Sequence, residues 1–190
     1  MTRVKEITRK GILNSAYRLF RRKGFTRVNV DEIAAASGVT KRTLYSHFPS
    51  KDELLEEVLD SQHDLAFAAF QTFGNALVGS PHDIVKKYFS ELAEWSKKPR
   101  WEASGFTRLA MELADMPGHP ARRIARKHKA ALESHLAQIL SNAGLSNAER
   151  KTRQIWILTE GAMALVLIHG DSNYYEQAEE AAQVLIARGP

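Results

Sequence analysis

The sequence predicts an all-α protein of about nine helices, a small N-terminal three-helix module followed by a larger C-terminal helical bundle. Three observations predict it. Residues that cap helix N-termini alternate along the chain with glycines placed to stop the helix before them. Apolar residues recur at three-and-four spacing. Asn-Gly and Asp-Gly hairpin pairs and alternating strand patterns are missing.

The first helix is predicted over Val4 to Lys23, with Ile7, Ile12, Ala16, Leu19 and Phe20 turned inward, a basic opposite face, and Gly24 as its left-handed stop. Asn29 with Glu32 makes a capping box for a short second helix, VDEIAAAS, which Gly38 ends. Thr40 caps the third, KRTLYSHF, closed by Pro49. Ser50 with Glu53 opens a long fourth helix whose apolar spacing continues to Gly79, on the order of 40 Å at 1.5 Å per residue. Ser80-Pro81 starts the fifth, which runs to the loop KKPR. A sixth helix is expected over Trp101 to Ala114 and a seventh over Ala121 to Ala143, stopped by Gly144. Ser146 with Glu149 is the expected capping box of the eighth, apolar nearly all round from Ile155 to Ile168; a ninth spans Tyr174 to Ala187.

Charge is unevenly placed. Residues 1–51 carry 12 Lys/Arg against 3 Asp/Glu, a balance of +9, whereas the remaining residues carry 15 against 19, a balance of −4. A structured basic end points to a polyanion, nucleic acid above all. The absence of cysteine excludes disulfides, thiolate metal sites and cysteine nucleophiles. With a charged N-terminus and no apolar run long enough to span a membrane, the expectation is a soluble, cytoplasmic protein.

Two short helices joined across Gly38-Val39, the second starting with Lys41-Arg42, make a helix-turn-helix whose second helix enters the major groove N-terminus first. Its outward residues are Lys41, Arg42, Thr43, Tyr45, Ser46 and His47. Arg42 is the expected base reader, since a guanidinium bidentate to guanine discriminates by roughly 1 to 3 kcal/mol. Lys41 and Thr43 could read bases or hold phosphates. Tyr45, His47 and Lys51 lie where a backbone would pass, Lys51 in the first turn of the fourth helix.

The segment FTRVNVDEIAAASGVTKRTLYSHFPSKDELL, Phe25 to Leu55, resembles the DNA-binding module of the TetR/AcrR family of transcriptional regulators. Ser37 stands where that family often has alanine, and Asn29 where a threonine cap is usual. The resemblance implies that Thr43, Tyr45, His47 and Lys51 bind the DNA backbone and that Thr40, Lys41 and Arg42 lie near bases. It also implies a helix-turn-helix domain over residues 1–50 and a helical effector-binding and dimerisation domain over 51–190. The expected partners are double-stranded operator DNA, an unknown small-molecule effector, and a second copy of the chain bound through the two C-terminal helices.

No catalytic residue, metal site or cofactor is expected. Hydrolase-elbow and phosphate-loop motifs are missing, as are H-x-x-x-H and E-x-x-H. His128 and His135, seven residues apart, are expected to be a structural pair on one face. An effector pocket would draw on Phe70, Phe73, Trp101, Phe106, Trp156, Glu160 and Met163, aromatic and apolar side chains with one carboxylate. The expected function is a repressor released from a palindromic operator by its effector. The alternatives are an architectural DNA-binding protein without a ligand and an all-α enzyme.

Overall fold

Amphipathic spacing and caps set the elements of the computed structural model, which describes residues 3–99 and 101–188; Arg100 of the KKPR loop lies outside them. Among the described residues there are nine helices: α1 (Arg3–Lys23), α2 (Val30–Ser37), α3 (Lys41–His47), α4 (Lys51–Gly74), α5 (Pro81–Ser96), α6 (Gly105–Glu112), α7 (Pro120–Asn142), α8 (Ala148–His169) and α9 (Asn173–Ala187). The chain packs as two units, Met1–Ala66 with Gly105–His128, and Phe67–Ser104 with Lys129–Pro190, so the division falls inside α4 and inside α7.

The first unit surrounds one apolar core. Ile12, Ala16, Leu19 and Phe20 of α1 meet Ile33, Leu44, Phe48, Leu54 and Leu55, with Phe106, Leu109 and Leu113 of the α6 segment and Ile124 of α7. Ile7 does not join it; 63% exposed, it continues the apolar spacing of α1 beyond what the unit covers. The second unit buries Tyr88 and Phe89 of α5, Leu136 and Leu140 of α7, Ile155 and Val166 of α8, and Tyr175 and Ala182 of α9.

Several ends differ from the sequence reading. Helix α4 stops at Gly74, because Ala76 and Leu77 turn back to donate their N–H groups to Phe73 and Gly74 carbonyls, which buries Leu77 without continuing the helix. Helix α6 begins at Gly105 and not at Trp101, since Ala103 holds a left-handed φ of +55° that no helix accommodates. Ser146 caps nothing: Asn147, at φ +52°, is the residue before α8 and its side chain makes no cap hydrogen bond. Phe48 lies just outside α3, its N–H donated to Leu44 O at 2.9 Å. His128 pairs with His63 of α4, Nδ1 to Nδ1 at 3.0 Å, and not with His135.

Candidate nucleic-acid interface

Local chemistry builds the pair α2–α3. Asn29 Oδ1 accepts the Glu32 N–H at 2.8 Å and Glu32 returns the contact to the Asn29 N–H, closing the expected box. Gly38, at φ +67°, lets its own N–H and that of Val39 reach the Ala35 and Ala34 carbonyls, both at 3.1 Å. Thr40 Oγ1 accepts the Thr43 N–H at 3.1 Å and starts α3. Ser15 Oγ, buried in α1, donates to Ala36 O at 3.1 Å and fastens α2 from behind.

The side chains singled out on α3 divide by how they are engaged. Lys41 is exposed but paired with Asp31 at 3.0 Å, and the hydrogen bond it donates to that carboxylate, with the carboxylate's charge, raises the ammonium above its ordinary value. Thr43 is half-buried, its hydroxyl 2.9 Å from that of Thr40, and Ser46 Oγ folds back onto Thr43 O at 2.7 Å. Among the described residues, Arg42 and Tyr45 are exposed and make no hydrogen bond or ion pair within the chain. His47 is half-buried with Nδ1 lacking a partner; burial, then the charges of Lys5 and Arg9, hold its imidazole below the ordinary range. Lys51 is half-buried with Nζ 4.2 Å above the Phe25 ring, and burial lowers it despite Asp52 and Glu112 nearby.

Sequence reasoning missed what holds this module from the far side of the chain. In α6, Arg108 donates to the last carbonyls of α1, Phe20 O at 3.3 Å and Arg21 O at 2.5 Å. One turn on, the Glu112 carboxylate accepts the N–H groups of Phe25 (3.0 Å) and Thr26 (2.6 Å) and the Thr26 hydroxyl (2.6 Å). Burial pushes this carboxyl up, but those hydrogen bonds and the Arg108 charge outweigh it and leave it below its ordinary value. Arg122 of α7 in turn reaches Leu113 O and Ala114 O, at 3.5 and 3.3 Å. Nothing in the local sequence pairs positions so far apart.

Residues 12–58 match the model of the bacterial regulatory proteins of the tetR family. An uncharacterized HTH-type transcriptional regulator of Bacillus subtilis, YuxN, is 28% identical over 163 residues, 83% of this chain and 53% of that one, so the chain spans about half the length of that relative. A putative TetR transcriptional regulator from Streptomyces avermitilis superposes with a TM-score of 0.75 at 27% identity, covering 93% of this chain and 98% of that one. A TetR-family transcriptional regulator from Streptomyces coelicolor gives a TM-score of 0.80 at 23% identity over 94% of each chain, a likeness of fold. Residues 12–58 thus carry the N-terminal module of the tetR family.

The residues expected to line an effector pocket fall in both units. Phe106 is buried in the first unit, stacked on His128 with ring centroids 3.8 Å apart. The others lie in the second. Phe70 and Phe73 sit edge to face at 5.9 Å, and Phe73 stacks on Tyr88 at 6.3 Å. Trp101 packs edge-on to Trp95 at 5.6 Å, its Nε1 buried without a partner. Glu160 forms an ion pair with Lys129, whose Nζ lies 5.9 Å from the Trp156 ring, and burial depresses that ammonium against the pull of Glu160. Met163 is core. Tyr88 and Tyr175 are both buried; burial and the nearby Glu160 charge push both phenols up, while a hydrogen bond with Thr159 opposes this at Tyr88. Among the described residues no group of three or more His, Cys, Asp or Glu could hold a metal ion, and no helix is long and apolar enough to cross a membrane.

Proposed function

We propose that this chain is a homodimeric, DNA-binding transcriptional repressor of the TetR family, acting in the cytoplasm by binding and not by catalysis, and released from a palindromic operator by a small-molecule effector. The observation that carries the reading is the pair Arg42 and Tyr45, exposed on α3 and unengaged within the chain among the described residues. Arg42 reads a base edge in the major groove; Thr40, Lys41, Thr43, Tyr45, Ser46, His47 and Lys51 fix the helix on the backbone or assist the reading. Lys41 must exchange Asp31 for DNA to take part.

Residues 1–50 act as the reading part and 51–190 as the sensing and pairing part. The effector would lie among Phe70, Phe73, Trp101, Phe106, Trp156, Glu160 and Met163. A second copy would cover the apolar side chains left exposed on α8 and α9, Ile157 (68%), Ile168 (70%) and Val184 (54%), and would set two reading helices at half-sites roughly 34 Å apart. An effector that prefers a dimer with the wrong half-site spacing shifts the population off DNA, and only that difference in affinity drives release.

The test is binding of the purified protein to its own upstream intergenic DNA at fixed salt, beside Arg42→Ala and Tyr45→Ala. Specific binding lost in both variants supports the reading surface. Tight binding indifferent to sequence favours an architectural protein, and no binding to any duplex refutes the reading.

A further inference from the structure

We propose that Lys5 and Arg9 of α1, together with His47 of α3, form a seat for a backbone phosphate of duplex DNA; the inference rests on the DNA-binding reading above. Lys5 and Arg9 precede the segment that matches the family model, residues 12–58. They stand one turn apart on the same face of α1. The Arg9 guanidinium lies 4.6 Å over the Phe48 ring, and the Phe48 ring is 6.3 Å from that of His47. Both cations act electrostatically on the His47 imidazole. Two helices therefore bring two cations and a protonatable ring to one place.

Gathering like charges costs free energy, which one carboxylate offsets in part. Glu57 is ion-paired with Arg9 through Nη2, which engages one end of a guanidinium that carries five N–H donors. Lys5 is exposed. An anion placed between Lys5, Arg9 and His47 would take charge-assisted hydrogen bonds from the ammonium and the guanidinium and would remove their mutual repulsion.

The dimensions of α3 identify that anion as DNA phosphate. Its seven residues make a helix about 10 Å long, close to the roughly 12 Å width of the major groove. With the Lys41–Arg42 end turned to base edges, the His47 end stands at the rim of the groove, where phosphates line the edge. The seat thus fixes the depth and tilt of α3 without reading sequence.

The experiment measures affinity for a labelled random-sequence duplex across a salt series, for the wild type, Lys5→Gln, His47→Gln and Lys86→Gln. Lys86 is an exposed lysine of α5 in the second unit and serves as the control. Loss of one phosphate contact makes the slope of log affinity against log salt shallower by about 0.9. That change is expected for Lys5→Gln; His47→Gln, which removes a ring held below its ordinary range and so neutral near pH 7, weakens binding with the slope unchanged, and Lys86→Gln alters neither. Lys5→Gln alters only an exposed side chain, so its result stands even where His47→Gln melts early. A wild type that binds with the same slope as Lys5→Gln, or no more tightly than a folded His47→Gln, overturns the seat and leaves Arg42 untouched. A wild type that binds no duplex even at low salt overturns the DNA-binding reading itself.

Discussion

Removing the Glu112 carboxylate should loosen the turn between α1 and α2 more than any other single change on α6. Glu112→Ala deletes three acceptor contacts at once, to the Phe25 N–H, the Thr26 N–H and the Thr26 hydroxyl. A hydrogen bond to a charged group contributes roughly 1.5 to 3 kcal/mol net, and less where water can replace it. Phe25 is buried and its N–H would be left unpaired, whereas Thr26 is exposed and can turn to solvent. The expected loss is about 3 kcal/mol, or roughly 6 to 12 °C in the melting of a chain of this size. Urea titration followed by circular dichroism, with amide exchange at Phe25 and Thr26, measures it.

Proton linkage supplies a second signature of the same contact. The folded carboxyl lies below its ordinary value of 4.5, so its contribution is fully present above that pH and is lost as pH falls through the lower folded value. The stability gap between wild type and Glu112→Gln should therefore be constant near neutrality and close only in acid below about 4.5. A loss under about 0.5 kcal/mol, the range of ordinary surface substitutions, would refute the reasoning, as would a gap that does not change on acidification.

Three further outcomes follow from particular contacts. Gly38→Ala should cost about 1 kcal/mol, because φ is +67° but a Cβ there meets nothing within 4 Å; Gly24→Ala, at φ +86° with its Cβ 2.9 Å from Glu112 Oε1, should cost about 2 to 4, and equal melting shifts would contradict this. Lys151 is 6% exposed and donates to Arg188 O at 2.7 Å and Ile186 O at 3.4 Å, so Lys151→Met should destabilise by roughly 1 to 3 kcal/mol and speed amide exchange in the last turn of α9; unchanged exchange there would count against it. Ile168→Glu, at a 70% exposed site, should shift stability by no more than about 0.5 kcal/mol yet halve the sedimenting mass, and an unchanged mass would remove Ile168 from the proposed pairing face.

What the sequence disclosed was what short-range chemistry decides. Asn29 with Glu32, Gly38 and Thr40 each act within a few residues, and α2 and the start of α3 lie where their spacing implies. The errors share the opposite cause. Ile7 kept the apolar rhythm of α1 although it is left largely exposed, and Leu77 kept the rhythm of α4 although a turn buries it instead. Ala103 and Asn147 adopt left-handed backbone that no glycine announces. His128 found its partner 65 residues away at His63. Of the proposed contacts, those on α3 were legible because a short helix displays its outward residues in order. Arg9 and Lys5 were visible only as part of a basic face, since their meeting with His47 depends on how α1 and α3 pack.

The chain of terminal holds, with Arg122 on the end of α6 and Arg108 and Glu112 on the junction after α1, bears on the order in which the molecule is completed during synthesis. The segment that resembles a DNA reader leaves the ribosome before α6 and α7, and the groups that cap its α1–α2 junction lie 86 to 88 residues later. At about 5 to 20 residues per second, the ribosome needs on the order of 5 to 20 s to pass from Gly24 to Arg122. During that interval the nascent module carries open carbonyls and N–H groups at its turn. A fragment ending at residue 50 would keep them open permanently, so the firmness of the reading end is conferred by chain made long after it.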